Sequence, residues 1–248
     1  AGLLIPNVFG PFGVPFYNSV IATFSHQIAN GLVPVVEVDT DLNLIYVGEL
    51  VEQIVQVIET PSSGVNQYHT VEATKSITVG EILKMLFVMK EQYIDFGQIP
   101  DITDSFSLQL FNTLRSYLIP SKFFPFAYKV NSDSRGMFIE ALKSVSGGQT
   151  SYSSTIPGIT RGNHFHTRKV ERFSVLKGEA LIQMRRIGTS EVYSYTVSGN
   201  TPSFVDMPVW YTHNLTNIGS EELITLFWIN EIYDPNDPDT FFEPVILK

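Results

Sequence analysis

The stretch GITRGNHFHTRKVERFSVLKG, residues 158–178, brings two imidazoles and a carboxylate together within a few residues. His164 and His166 are two residues apart, and on a β-strand this spacing places both side chains on one face. Glu171 follows five residues later, and we expect it to reach that face through a small kink or bulge. Two imidazoles and a carboxylate that converge suit a divalent transition metal, and His213 offers a fourth ligand. The sequence therefore predicts a metal site.

The spacing of these residues resembles both motifs of the cupin superfamily. The first motif, Gly-x5-His-x-His-x4-Glu-x6-Gly, is matched in full by residues 158–178. The second motif is Gly-x5-Pro-x-Gly-x2-His-x3-Asn. Its proline, histidine and asparagine are present as Pro208, His213 and Asn217, whereas Pro202 and Trp210 replace its two glycines. These departures alter a turn and remove no ligand. A motif match is a hypothesis, and two alternatives stay open: chance histidine pairs on β-hairpins, and a cupin with a vestigial site.

Composition sets the broad class of the protein. The 248 residues are enough for one large domain or two small ones, and they are 44% hydrophobic and 17% charged. The net charge of −9, without a block of Lys or Arg, argues against a nucleic-acid partner. The absence of cysteine excludes disulfides and thiolate chemistry. No apolar run approaches the ~18 residues of a membrane span, and the first residues, AGLLIPNVFG, lack the basic region of a signal peptide. We expect a cytoplasmic chain without membrane insertion.

Residues 1–120 alternate between short strands and helices. NSVIATFSHQIANGL has apolar residues at helical spacing, with Gly31 placed to end the helix. LNLIYVGELVEQIVQVIE indicates a strand that enters a helix. ITVGEILKMLFVMKEQ begins with Thr78 and Glu81 three residues apart, which is a capping box. SFSLQLFNTLRSYLIP predicts a further helix, stopped by Pro120.

The pattern changes near residue 121. The long helices stop, and short alternating strands separated by turns continue to the end of the chain, which is typical of a β-sandwich or barrel. We therefore predict two domains, residues 1–120 and 121–248. The expected fold is an α/β unit followed by an all-β unit, and the resemblance to the cupin motifs implies that the all-β unit is a double-stranded β-helix, the cupin jelly roll.

The first domain resembles the C-terminal part of the extended short-chain dehydrogenase/reductase family. The resemblance is carried by NVFGP at residues 7–11 and NLIYVGEL at residues 43–50. In that family this part builds the sugar-nucleotide lobe, whereas the glycine-rich dinucleotide loop and the Tyr-x-x-x-Lys pair lie earlier. Neither element occurs in this sequence. The resemblance implies that the α/β unit is the remnant of a dehydrogenase substrate lobe, a piece of a longer enzyme, with NADPH binding and ketone reduction only in the full-length parent.

The second domain is similar to the dTDP-4-keto-6-deoxyhexose 3,5-epimerases, which are RmlC-like cupins. DSRGMFIE at residues 133–140 repeats their Asp-x-Arg-Gly-x-Phe-x-Glu strand, and RGNHF at residues 161–165 with a following lysine repeats their Arg-Gly-x-His-Phe segment. The resemblance implies substrate binding by Arg135, Phe138, Glu140 and Arg161, to which we add Tyr211, and proton chemistry by His164, Lys169 and Tyr233. Because the first of these strands reaches a neighbouring subunit in the related epimerases, a homodimer is also implied.

The order of the parts resembles the CapF-type bifunctional enzymes of capsular polysaccharide and O-antigen synthesis. Similar phrases run along nearly the whole chain, at residues 39–51, 99–123, 133–140, 158–173 and 211–217. The resemblance implies a UDP-sugar substrate and a metal cofactor, with zinc expected. It further implies that the cupin epimerises C3 of a UDP-4-keto-6-deoxy N-acetyl sugar, before NADPH-dependent reduction at C4 yields the precursor of UDP-N-acetyl-L-fucosamine.

The residues leave the division of labour open. Epimerisation beside a ketone needs a base, stabilisation of the enolate and an acid on the opposite face. His164 cannot be a free base while its lone pair binds a metal, in which case Lys169 or a tyrosine, Tyr211 or Tyr233, must carry the proton. Two other functions stay open: a non-catalytic dimerisation module stabilised by its metal, and another metal-dependent cupin enzyme acting on a small acid.

Overall fold

The computed structural model describes residues 2–59 and 68–247. The chain divides into two compact units, Ala1–Phe126 and Ala127–Lys248. The change of pattern seen in the sequence near residue 120 falls within a short helix, Pro120–Phe123, that belongs to the first unit. The division between the units therefore lies a few residues later than the predicted boundary.

The first unit combines short strands with helices around one apolar cluster. Its elements are β1 Gly2–Leu4, β2 Asn7–Phe9, α1 Val20–Ala29, β3 Asp41–Tyr46, α2 Val47–Glu59, β4 Tyr68–Thr70, β5 Lys75–Thr78, α3 Val79–Met89, a π-helical turn Lys90–Asp95, α4 Ser105–Arg115 and α5 Pro120–Phe123. β2 pairs parallel with β3, and β3 pairs antiparallel with β5. Ile21, Ile82, Leu86, Leu110 and Leu114 are fully buried where these helices meet.

The helix signals read from the sequence are found in α1 and α3. The Ser19 hydroxyl caps α1, and Gly31 has a φ of +73°, the left-handed conformation that suits glycine after a helix. At α3 the Thr78 hydroxyl accepts from the Glu81 N–H, and the Glu81 carboxylate accepts from the Thr78 N–H. The predicted capping box is confirmed.

The predicted end of α4 is wrong. We expected Pro120 to stop this helix, but it ends at Arg115, with Ser116 as the C-cap residue. Pro120 instead begins the short helix α5. A proline is tolerated at the first position of a helix because the N–H it lacks would have no partner there.

The second unit is built from two antiparallel sheets. Its strands are β6 Val130–Asp133, β7 Gly136–Ser144, β8 Gly148–Thr155, β9 Thr160–Phe165, β10 Glu171–Lys177, β11 Glu179–Arg186, β12 Val192–Ser198, β13 Phe204–Met207, β14 Tyr211–Asn217, β15 Leu223–Ile229 and β16 Phe241–Phe242. Within the described residues, one sheet has the strand order β13-β10-β15-β8-β7-β6 and the other β12-β11-β14-β9-β16. This is the predicted jelly roll, and with the α/β unit before it the predicted fold class is confirmed.

Apolar side chains from both sheets fill the interior of the second unit. Phe173 and Leu223 come from the first sheet, and Ile182, Val197 and Leu215 come from the second. The core therefore fixes the distance between β10 and the facing strands β9 and β14. Over the described parts of the chain, no helix has both the length and the apolar character needed to cross a bilayer.

Candidate metal centre

Four side chains meet at one end of the jelly roll. One ligand atom from each of His164, His166, Glu171 and His213 lies within 4.8 Å of the others. His164 lies on β9, Glu171 begins β10 and His213 lies on β14, whereas His166 follows directly after β9. All four residues that the sequence indicated as ligands are thus brought together.

A bulge in β9 sets the direction of His164. In the pairing with β14, His213 lies opposite His164 but Asn214 lies opposite Gly162, so Asn163 is the extra residue. Asn163 and Gly162 both have positive φ, +61° and +98°. A Cβ at position 162 would lie 2.7 Å from the His213 carbonyl oxygen. Glycine is therefore required where this strand passes closest to β14.

Glu171 reaches the histidines by a route that the sequence did not indicate. We expected a kink or bulge in one strand, but the chain turns after His166 and crosses to the facing sheet, where Glu171 begins β10. Glu171 Oε2 lies 3.2 Å from His166 Nε2 and 3.0 Å from His213 Nε2. The carboxylate therefore approaches the imidazoles from the opposite side of the core.

Burial and mutual contact set the protonation of these groups. Burial, together with the smaller effect of the nearby His213, lowers the pKa of His164 to about 4. Burial also opposes charge on His166, but the hydrogen bond with Glu171 outweighs it and raises the pKa of His166. Burial disfavours the Glu171 carboxylate, yet contacts with His166 and His213 outweigh it and hold the pKa of Glu171 well below its usual range. The carboxylate is therefore ionised.

The four groups fit a divalent metal ion. His213 is fully buried, and although its Nε2 lies close to Glu171, this atom makes no hydrogen bond with any described residue. A buried ring nitrogen that is close to a carboxylate but not aligned for a hydrogen bond is costly unless it binds an ion. In a tetrahedral site with bonds of ~2.0–2.1 Å, ligand atoms lie about 3.4 Å apart. The separations of Glu171 Oε2 from His166 Nε2 and His213 Nε2, 3.2 and 3.0 Å, are close to that spacing, so the cluster could hold a metal ion.

A cavity of about 490 Å³ opens beside the cluster. It is lined by most of the site residues that the sequence predicted. These are Arg135, Phe138, Glu140, Arg161, His164, His166, Lys169, Glu171 and Tyr233. Residues far apart in the chain therefore share one space large enough for a small molecule.

Two predicted residues do not line this cavity. His213 lies fully buried behind it. Tyr211 packs at the margin of the apolar cluster of the second unit, two residues from His213 along β14. Tyr211 shares a strand face with His213 but is not among the residues that line the cavity, so its contact with a substrate stays a prediction.

Lys169 is held against the cavity wall with its charge buried. The side chain is only 2% exposed. Its ammonium group donates to the Pro238 carbonyl, lies 3.8 Å from Glu231, and sits 5.2 Å from the centre of the Tyr233 ring. Lys169 and Tyr233 therefore form one unit on the cavity wall.

Two guanidinium groups lie at another part of the cavity. Arg135 forms a salt bridge of 2.6 Å with Asp133 and lowers the pKa of that carboxyl to about 2. Arg161 donates to Thr155 Oγ1 at 3.0 Å and to the Ser154 carbonyl at 3.1 Å. Burial and the neighbouring Arg135 lower the pKa of Arg161. This concentration of positive charge suits an anionic ligand.

Sequence reasoning missed two sets of residues near the site. Gln149, Ser151 and Ser153 on β8 are buried and line the cavity with polar groups. Their alternation in GQTSYSST predicts a strand but carries no motif. Asp239 contacts the turn between His166 and Glu171 from about seventy residues away in sequence, and no local signal links the two.

Comparisons with known proteins agree with this architecture. Residues 131–241 match the family described as Polysaccharide biosynthesis C-terminal domain. The chain is 32% identical to UDP-2-acetamido-2,6-beta-L-arabino-hexul-4-ose reductase of Pseudomonas aeruginosa, over 96% of this chain and 63% of that protein. It is 23% identical over 44% of its length to the spore coat polysaccharide biosynthesis protein SpsL of Bacillus subtilis, covering 79% of that protein.

Solved structures extend the likeness to both units. A structure of CapF with the inhibitor 3-isopropenyl-tropolone is 39% identical and superposes with a TM-score of 0.84, over 98% of this chain and 71% of that one. Capsular polysaccharide assembling protein CapF of Staphylococcus aureus is 39% identical with a TM-score of 0.83, over 98% and 66%.

The fold and the histidine–glutamate cluster define a cupin unit preceded by an α/β unit, and the family match places it among polysaccharide biosynthesis proteins. Within that class, the chain belongs to the CapF family. It spans 63% of the length of the Pseudomonas reductase.

Proposed function

We propose that the second unit binds a divalent metal ion, zinc in the first instance, and epimerises C3 of a UDP-4-keto-6-deoxy N-acetyl sugar. In the complete protein, NADPH-dependent reduction at C4 would follow, on the route to UDP-N-acetyl-L-fucosamine. The observation that carries this proposal is the cavity that His164, His166 and Glu171 share with Lys169, Tyr233 and two arginines. The Pseudomonas relative, named as a reductase of a UDP-2-acetamido-hexulose, supports the substrate class.

The arginines account for binding of the nucleotide. Arg135 and Arg161 line the same cavity, and a guanidinium group can bind a phosphate through two parallel hydrogen bonds. Phe138 adds an aromatic surface for the base, and Glu140 adds an acceptor for hydroxyl groups. With the diphosphate held at this end, the sugar extends toward His164 and Lys169.

Proton transfer requires groups beside C3. A bound divalent ion supplies Lewis-acid stabilisation of the negative charge that develops on the ketone oxygen. We assign Lys169 and Tyr233 to removal of the C3 proton on one face of the sugar ring, because the two side chains lie together on the cavity wall. A water molecule in the cavity returns a proton to C3 on the opposite face. The burial of Lys169 keeps competing water away from the amine.

The dual role open to His164 can be separated by one substitution. If His164 is a ligand, His164→Asn lowers both metal content and exchange at C3. If it is the base, metal content stays near one ion per chain while exchange is lost. Metal analysis and exchange on the same preparation distinguish the two roles, and we expect the first outcome because His164 belongs to the four-membered cluster.

Solvent deuterium uptake tests the epimerase proposal directly. The metal-replete protein is incubated in deuterated buffer with the 4-keto sugar nucleotide and without NADPH, and C3 is followed by NMR. We expect uptake at C3 that depends on the metal. No uptake by metal-replete protein would contradict the proposal.

A structural role for the metal is the second candidate. It is favoured by the four protein side chains, which can close a tetrahedral site without leaving a position for substrate. In that case the ion ties strands together, and deuterium uptake is absent although metal is bound.

We also propose that the second unit forms a homodimer. Strand β6 lies at the edge of its sheet and all four of its residues are exposed. An uncovered edge strand is suited to pairing with another chain, and Arg135 and Phe138 lie beside it. Light scattering at micromolar concentration tests this, and a monomer would contradict it.

A further inference from the structure

The segment before β16 contacts the metal cluster without supplying a ligand. Its central residue is Asp239, which is 4% exposed. The Asp239 carboxylate accepts hydrogen bonds from the Thr167 hydroxyl at 2.5 Å and from three successive backbone N–H groups, those of Thr167, Arg168 and Lys169, at 3.0, 3.0 and 2.9 Å. One buried side chain thus organises the whole turn that joins His166 to Glu171.

The backbone of Asp239 contacts a ligand directly. Its carbonyl oxygen lies 2.5 Å from His166 Nδ1. A carbonyl can only accept, so Nδ1 carries the proton. With Nδ1 protonated, a metal can be bound only through Nε2, and Nε2 is the atom that faces Glu171 at 3.2 Å. The carbonyl therefore favours the His166 tautomer that has a proton on Nδ1 and leaves Nε2 free to bind a metal.

Both contacts depend on an unusual backbone conformation at one residue. Asp239 has a φ of +39°, in the left-handed region that few residues other than glycine, asparagine and aspartate adopt readily. In this conformation the carbonyl reaches His166 while the carboxylate reaches the turn. Asp239 thereby holds the orientation of the His166 ring and the conformation of the turn between His166 and Glu171.

We propose that Asp239 is a positioning residue that sets metal affinity by fixing the orientation of His166 and the His166–Glu171 turn. The inference rests on the proposed metal centre but not on the reaction carried out there. The same turn carries Lys169, whose N–H and ammonium group are held by Asp239 and Pro238. Asp239 therefore aligns the ligands and the proposed proton carrier together.

The test compares two aspartates of the same segment. Asp239→Asn keeps the size and the tolerance for positive φ, but it replaces an acceptor oxygen with an amide that donates toward N–H groups. Asp237→Asn makes the same change of charge at a side chain that is 68% exposed. Within the turn from His166 to Glu171, the Asp237 side chain contacts only Arg168. Metal affinity is measured by chelator competition without any sugar. We expect Asp239→Asn to weaken metal binding on the order of tenfold to a hundredfold, and Asp237→Asn to change it less than twofold.

A spectroscopic readout separates positioning from general stabilisation. In the metal-loaded protein, the 15N shifts of the His166 ring should show a protonated Nδ1 and a metal-bound Nε2, and Asp239→Asn should broaden or shift them. A merely structural role would lower the melting temperature of the metal-free protein and leave both affinity and ring shifts unchanged, which would overturn the inference.

A second pair of variants tests the inference if Asp239→Asn does not fold. Thr167→Val removes only the hydroxyl bond to Asp239, whereas Thr167→Ser keeps it. We expect weaker metal binding in the first and near-normal binding in the second, and equal affinities would overturn the inference. If the unsubstituted protein binds no metal, the metal centre fails as well. If it binds metal but exchanges no proton, only the epimerase proposal fails.

Discussion

Glu171 Oε2 lies 3.2 Å from His166 Nε2, although the two residues belong to segments on opposite sides of the core. Five positions separate them in the sequence, and the turn between them crosses from one sheet to the other. The distance between the His166 and Glu171 side chains is thus set by a turn that crosses from one sheet to the other.

Metal removal should destabilise the second unit. An ion bound only to the folded state stabilises it by RT ln(1 + [L]/Kd), about 4 kcal/mol at a thousandfold excess over Kd. His213→Ala deletes a fully buried ligand, so we expect loss of bound metal and a lower melting temperature. Calorimetry with and without chelator checks this. The chelator should have little further effect on His213→Ala, and an equal effect on both proteins would exclude His213 as a ligand.

Replacing the ammonium group of Lys169 should stop exchange at C3 without emptying the metal site. Lys169→Met retains the buried aliphatic chain, so we expect a loss of deuterium uptake of roughly 10²–10⁴-fold with unchanged metal content. Tyr233→Phe removes only the phenol oxygen and leaves the ring against residue 169. Comparison of the two variants shows which group transfers the proton, and normal exchange in both would rule out the assignment.

Arg161 should control affinity for the nucleotide. Within the described chain, its guanidinium group bonds neutral oxygens and has no carboxylate at salt-bridge distance, so its charge is available to a phosphate. A hydrogen bond to a charged group contributes about 1.5–3 kcal/mol. Arg161→Ala should therefore weaken UDP binding about tenfold to a hundredfold in calorimetric titration. Arg161→Lys should recover only part of this, because it lacks the bidentate geometry, and full recovery would argue against a paired contact.

The cap of α4 should make the first unit sensitive to acid. Hydrogen bonds from the Ser107 hydroxyl and N–H lower the pKa of Asp104. A lowered folded-state pKa contributes stability that is present above the unfolded value, 3.8, and is lost as the pH falls through the folded value. Asp104→Ala should cost about 1 kcal/mol at neutral pH. Asp104→Asn should keep the cap and lose the acid dependence, which urea unfolding at pH 7 and below pH 4 can verify.

The convergence of His164, His166, Glu171 and His213 could be predicted from the sequence because these residues lie within two short motifs. His164 and His166 follow from strand alternation, and the downstream motif indicated His213. The path of Glu171 could not be predicted, because a pattern along one strand does not show where the chain changes sheets.

Asp239 illustrates what pattern reasoning leaves out. Its carboxylate acts on backbone N–H groups, which every residue except proline possesses, so the partner residues carry no sequence signature. The end of α4 was mispredicted because Pro120 was interpreted as a stop, whereas the helix had already ended at Arg115. Positions chosen by backbone geometry, and not by side-chain type, are the ones that only coordinates reveal.

The ligands divide unequally between the two layers of the jelly roll, with Glu171 on one and His164 and His213 on the other. An ion held among them would link the two sheets at this end of the sandwich. Loss of the ion would allow the two sheets to move apart there, so the width of the cavity entrance would depend on the metal occupancy.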